Sequence, residues 1–211
     1  MKTKLRNFLW RILGFDYQML LNKTNYTLLK NDKYTAIGVK TYDNGAKVWR
    51  WSTAPLIIGK YCSIAYDVNF IIDEGFHSIS PISNFPLLNN LFKENELIEN
   101  KSKNEFINQF KQKNGISIGN DVWIGMGAFI MPSVTVGNGV VIAANAVVTK
   151  NIPDYAIVAG VPAKIIKMKH DDNTIKILNK IAWWNWNEKT IKERINNFHS
   201  SIDEFIKKYN T

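Results

Sequence analysis

The chain of 211 residues carries 27 Lys and Arg against 18 Asp and Glu, a formal net charge of +9, with 45% hydrophobic and 21% charged residues. Those proportions fit one folded domain with appended elements and exclude a collagen-like or broadly disordered chain. A single cysteine, Cys62, excludes an intrachain disulfide, and no Cys/His cluster has zinc-finger spacing, so a reducing, cytoplasmic setting is expected.

Residues 1–55 read as an N-terminal helical or irregular segment. Its apolar stretch from Phe8 to Phe15 is too short to span a bilayer, contains Arg11 and lacks a small-residue cleavage site, so it is not a signal peptide. With Lys2, Lys4 and Arg6 it forms a basic amphipathic stripe, expected to dock on its own protein, with peripheral contact to anionic lipid as the alternative. Charge gathers at the ends, 10 Lys/Arg against 3 Asp/Glu in residues 1–50 and 10 against 6 in residues 164–211. No motif interleaves basic residues with base-stacking aromatics, so nucleic acid is not an expected partner.

The strongest signal is a period of six. Ile118, Ile124, Ile130, Val136, Ile142 and Val148 recur without interruption, and Ile116, Val122, Ala128, Val134, Val140 and Ala146 repeat two positions ahead. A helix would space apolar residues by three and four, and a flat strand would alternate indefinitely, so the pattern describes short strands joined by tight corners. Gly119, Gly125 and Gly137 follow their anchors directly, where a corner either requires positive φ or leaves no room for a Cβ. The same period appears earlier at Ile58, Ile64 and Phe70, with Leu56, Cys62 and Val68 ahead of them, which points Cys62 inward as a packed side chain. A solenoid domain is therefore expected over residues 56–166, mainly β, with its anchors stacked in one internal column.

Between the two blocks, residues 72–115 break the period and form an excursion loop, with a short helix expected from Leu97 to Phe110. The repeat is read as ending at Lys150–Tyr155. A C-terminal helical segment follows over residues 167–211: one helix over 173–183, then a long amphipathic helix marked by Ile191, Ile195, Phe198, Ile202 and Phe205, with Asn187 as its N-cap. Trp183, Trp184 and Trp186 read as a packing cap on the open solenoid end.

Four stretches in order, Leu56–Ile64, Ile118–Gly125, Ala159–Lys164 and Trp183–Trp186, resemble the hexapeptide-repeat acyltransferases, and within them the xenobiotic acetyltransferase branch of type B chloramphenicol and streptogramin enzymes. The resemblance implies a left-handed parallel β-helix assembled as a homotrimer, with acetyl-CoA in the groove between subunits and the acceptor near the excursion loop. It implies His77 as general base on an acceptor hydroxyl, a role suited to imidazole, whose pKa lies close to working pH. It places Trp123, Gly125, Ala143 and Ala144 beside the reacting end and pantetheine arm of the donor, and Lys150, Lys164 and Lys167 near its phosphates. Asp73 is expected to orient His77 or to bind acceptor hydroxyls, with Phe76 also lining the acceptor. A thioester is already activated, so direct transfer without a metal or an acyl-enzyme is expected.

The segment Asp73-Glu74-Gly75-Phe76-His77 departs from the Asn-Gln-Gly-His type of the antibiotic enzymes, and residues 35–51 lack their Tyr-rich stretch. A saccharide or cell-surface glycan precursor is thereby placed ahead of an antibiotic as acceptor. Two alternatives stand beside O-acetyl transfer: N-acetylation of an amino-sugar nucleotide, and a non-catalytic β-helix scaffold using its basic ends for binding.

Overall fold

The structure, a computed structural model, describes residues 26–74, 80–110 and 114–210. The basic stripe of residues 2–11 lies outside the described residues. The chain enters through β1 (Tyr26–Leu28) and then builds successive three-strand coils. The first is β2 (Thr35–Ile37), β3 (Tyr42–Asp43) and β4 (Lys47–Trp49), and the second is β5 (Leu56–Ile58), β6 (Ser63–Ile64) and β7 (Asn69–Ile71). After the excursion come β10 (Ile116–Ile118), β11 (Trp123–Ile124) and β12 (Phe129–Ile130), then β13 (Thr135–Val136), β14 (Val141–Ile142) and β15 (Val147–Val148).

Each coil contributes one strand to each of three parallel sheets, giving the column three faces. On the first face Ile37, Ile58, Ile118 and Val136 stand in register. On the second the row is Asp43, Ile64, Ile124 and Ile142, and on the third Val48, Phe70, Ile130 and Val148. From Ile58 onward every one of these anchors is buried, and together they form one continuous core. Each buried aliphatic side chain contributes roughly 1.5–3 kcal/mol, which is why a repeat with no other long-range code holds its shape. Cys62 is fully buried in that core, and burial pushes its thiol pKa up.

The coil is longer at both ends than the period indicated. Residues 35–49, read as helical or irregular, are a full coil whose parallel strands pair with the next. Their anchors fall at 37, 43 and 48, one step short, and the middle one is Asp43, so the hexad is not visible. Beyond Val148 the repeat drops two residues and resumes: Ile152 bridges Val136 on the first face, and β16 (Ala156–Ala159) sets Val158 beside Ile142 on the second. An antiparallel strand, β17 (Lys164–Met168), then closes the second face.

The corner glycines resolve the two alternatives for them. Gly119 and Gly125 do not have positive φ; a Cβ on Gly119 would stand 2.7 Å from the Gly137 carbonyl carbon, and one on Gly125 2.5 Å from the Ala144 nitrogen. The left-handed residues come two positions later, at Asp121, Gly127 and Gly139, with Tyr61 and Tyr155 equivalent to Asp121 in neighbouring coils. An amide ladder reinforces this corner: Lys60 N donates to Asn120 Oδ1, Asn120 N to Asn138 Oδ1, and Asn138 N to Asp154 Oδ1.

In the excursion, α1 (Leu87–Leu91) precedes a small hairpin of β8 (Leu97–Ile98) and β9 (Lys101–Ser102). The helix expected from Leu97 is shortened to α2 (Lys103–Ile107), because Ser102 and Glu105 form a capping box that fixes its start. In the tail, α3 (Asp172–Ile181) starts at the Asp171 N-cap, and Asn187 caps α4 (Glu188–Glu193) as expected. The long helix is broken, however, into α4, a 3₁₀ turn at Ile195–His199 and α5 (Ile202–Tyr209), because Ser201 and Glu204 form a second capping box in its middle.

These helices do not cap the solenoid end. They lie along the corner between the first and second faces, where Lys40 pairs with Glu188 at 2.8 Å, Lys60 Nζ donates to Asn185, Tyr61 packs on Trp183 at 4.8 Å, and Asn138 Nδ2 donates to Asn179. The tail therefore ties successive coils together. Among the described residues no helix is long and apolar enough to cross a membrane.

Candidate active site

On the second face, the outward side chains of Ser63, Trp123, Val141, Ile157 and Lys167 form one row across neighbouring strands. Trp123 and Lys167 thus stand three strand spacings apart, about 14 Å at the usual 4.8 Å separation. Trp123 is 57% exposed, although an indole in a folded chain ordinarily buries most of its surface. Beside the row runs a strip almost without side chains, in which Gly125 packs on the backbone of Ala143 and Ala144, and Ala159 pairs with Lys164. Six of the residues assigned to the donor, Trp123, Gly125, Ala143, Ala144, Lys164 and Lys167, therefore share one face and its edge.

Lys150 does not join them. It is an exposed residue two positions past Val148, at the corner leading from the third face to the first. Gly125 also has a sufficient reason within the fold, since the stacked coil leaves no space for its Cβ.

His77 and Phe76 lie outside the described residues. Asp73, at the root of the excursion, is 5% exposed, and its Oδ2 accepts from Trp51 N at 2.9 Å and Ser52 N at 3.0 Å, while Ser52 Oγ donates to Oδ1. Asp73 also bridges to Asn114 at the far root of the loop. A carboxylate that accepts from three donors 21 and 22 residues away is a clamp on the loop base, a contact that the expected roles of orienting His77 or binding acceptor hydroxyls did not include. Asp73→Ala leaves two backbone N–H groups unpaired and is expected to cost about 2 kcal/mol. That is a fall of about 4–8 °C in Tm by thermal unfolding. A drop in kcat with Tm unchanged would return Asp73 to the reacting atoms.

Past the described gap, Pro81, Phe85, Leu87, Leu88, Phe106 and Phe110 line an apolar cavity of about 270 Å³ within the excursion. Two features had no signal in the sequence. Asp121, at a left-handed corner, is half-buried beneath the tail, in a cavity of about 310 Å³ shared with Tyr155, Lys169, His170 and Trp183. Burial drives its pKa up to about 6 against the opposing pull of Lys169 and the Trp183 indole. In the same cluster burial raises the Tyr155 pKa, and burial and then Lys169 lower that of His170. The second feature is a cationic notch in the tail, lined by Lys180, Arg194 and Lys208.

A three-faced column of stacked parallel strands, with an exposed tryptophan, a strip of glycine and alanines, and lysines at its edge, defines a hexapeptide-repeat coil. Residues 115–150 match the family described as bacterial transferase hexapeptide (six repeats). The chain is 37% identical over 177 residues to a probable macrolide acetyltransferase of Lysinibacillus sphaericus, covering 81% of this chain and 92% of that one. It is 41% identical over 139 residues to a chloramphenicol acetyltransferase of Agrobacterium fabrum, covering 65% and 63%. Of the chloramphenicol relatives, then, the match spans less than two thirds of the length. A solved hexapeptide-repeat acetyltransferase of Vibrio cholerae, complexed with acetyl coenzyme A, superposes with a TM-score of 0.48 at 27% identity over 66% of this chain and 62% of that one. The chain belongs to the bacterial hexapeptide-repeat transferase family and is an acyltransferase within it.

Proposed function

We propose that the chain moves the acetyl group of acetyl-CoA directly to an acceptor hydroxyl, with His77 as general base, in a cytoplasmic homotrimer of left-handed coils. His77 takes the hydroxyl proton as the new C–O bond forms, the C–S bond of the thioester breaks, and the proton passes to the departing sulfur, so that CoA leaves as the thiol and the imidazole is again neutral. The observation that carries this reading is the row on the second face. An exposed indole and a strip of glycine and alanines, where backbone can be approached closely, suit the slender uncharged pantetheine arm, and Lys164 and Lys167 at the edge suit the CoA phosphates.

Tyr66, Met126 and Phe129 are also exposed, and nothing among the described residues covers them, which supports a second copy of the chain as their partner. The apolar cavity in the excursion favours an antibiotic-like acceptor over the saccharide favoured by the loop sequence, in line with the names of the macrolide and chloramphenicol relatives. The test is acetyl-CoA turnover by thiol release with a macrolide, chloramphenicol and a galactoside as acceptors, with the product identified as ester or amide. Ester formation on an apolar acceptor supports the reading; absence of both CoA binding and thiol release would overturn it. Trp123→Ala is expected to raise the KM for acetyl-CoA about tenfold, equivalent to about 1.4 kcal/mol, by steady-state kinetics with kcat changed less.

A further inference from the structure

The tail carries a second concave site that shares no residue with the acetyl-CoA strip. Between α3, the end of α4 and α5 lies an open cavity of about 630 Å³, lined by Lys180, Trp186, Glu193, Arg194, Lys208 and Tyr209 among others. Three cations face it against one carboxylate, and Glu193 stands 3.9 Å from Lys189, which offsets part of its charge.

Arg194 is held in a particular way. Its guanidinium carbon lies 4.4 Å from the centre of the Trp186 ring and 4.6 Å from that of Tyr209, and the two rings are 4.9 Å apart, tilted by 60°. A planar cation seated against two ring faces loses little freedom on binding, and its in-plane N–H edge stays available to acceptors. Among the described residues no carboxylate or carbonyl meets that edge. Arg50 shows the contrast: its guanidinium pairs with Asp32 at 2.7 Å, donates to the Ala54 carbonyl and is spent on the fold. Lys180 has no hydrogen-bond or ion-pair partner among the described residues, and Lys208 donates to Asn197 Oδ1 at 3.0 Å on the same rim.

We infer that this notch binds the phosphate or diphosphate group of a small molecule, with Arg194 as a two-pronged donor and Lys180 and Lys208 as flanking charges. A fork of N–H donors matches two oxygens of a phosphate, and the doubly charged group answers an excess of cations better than a single carboxylate would. The cavity exceeds what a bare phosphate fills, so the organic remainder of the ligand has room beside the rings. The phosphate can come from CoA itself or from a separate phosphorylated molecule.

The test uses inorganic pyrophosphate as probe, titrated into the full-length protein by calorimetry at low and high salt. One site per chain is expected, with a Kd of about 0.1–1 mM that weakens with salt. Arg194→Gln is expected to weaken it at least about tenfold and Lys180→Ala about threefold. Circular dichroism and Tm check that each variant is folded, and Lys180→Ala touches neither ring, so it tests the site even if Arg194→Gln loosens the tail. A rise in the KM for acetyl-CoA in Arg194→Gln identifies CoA as the phosphate source, whereas an unchanged KM with pyrophosphate binding lost identifies a separate ligand. No binding up to about 10 mM, equal binding by both variants and wild type, or binding to phosphatidylglycerol vesicles without pyrophosphate binding would overturn the inference.

Discussion

His77→Ala is expected to lower kcat by about 10²–10⁴ while acetyl-CoA affinity and Tm stay near wild type. An alcohol is a weak nucleophile at neutral pH, so the barrier falls when an imidazole takes its proton as the C–O bond forms, and that contribution vanishes with the ring. Only neutral imidazole can accept the proton, so wild-type kcat/KM should rise with pH through the histidine range and level off above it. The alanine variant should lose that limb along with the rate. Turnover is compared per folded chain, with calorimetry of CoA binding alongside, because a histidine that merely supports the loop would lower Tm and reduce activity in step with the folded fraction. Near-wild-type turnover of His77→Ala on a verified acceptor would remove His77 from the chemistry.

The column was legible where the period was intact. Burying every sixth side chain leaves a pattern that survives in the sequence, so the row from Ile118 to Val148 and the earlier Ile58, Ile64 and Phe70 could be placed before any strand was seen. It was illegible where the coil changes length by a residue or two, because the eye follows spacing and the fold follows pairing. Asp43 at an anchor hid the first coil, and the step from Val148 to Ile152 hid the last. Lys150 parts from the other residues assigned to the donor for the same reason: three anchors make a turn, so two residues past Val148 is a different corner from the one that follows Ile142.

Asp73 shows a different limit. Its neighbours in sequence suggested an acceptor site, but its hydrogen-bond partners are Trp51 and Ser52, and no local pattern announces a contact over that distance. The tail helices were visible as apolar stripes, yet the break at Ser201 turned on a capping box that competes with continued helix.

The stability that Asp121 contributes is expected to fall as pH rises from about 4 to 7, and Asp121→Asn is expected to remove that fall. Asp121 sits at a corner that needs a left-handed residue, with its backbone N–H donated to the Lys60 carbonyl, and the tail packs over its side chain. Burial lifts its folded pKa to about 6 from an ordinary 3.8, so between those values the folded protein holds a proton that the unfolded chain has released. The contribution is full below the lower value and is lost as pH passes the upper one, amounting to about 3 kcal/mol. Of the other groups facing it, Lys169 and the Trp183 indole already oppose the shift, and Asp154 and Tyr155 lie close by. His170 acts with the opposite sign: its lowered pKa makes stability fall as pH drops below its ordinary 6.5. The difference between wild type and Asp121→Asn, measured by denaturant unfolding at pH 4.5 and pH 8, therefore isolates Asp121. The asparagine keeps the shape and an acceptor for Trp183 but carries no charge, so its advantage should be largest at pH 8 and much smaller at pH 4.5, which lies only a little above the ordinary 3.8. An equal effect at both pH values would mean that Asp121 is paired well enough by Lys169 to remain charged throughout, and that the tail covers the corner without resisting its charge.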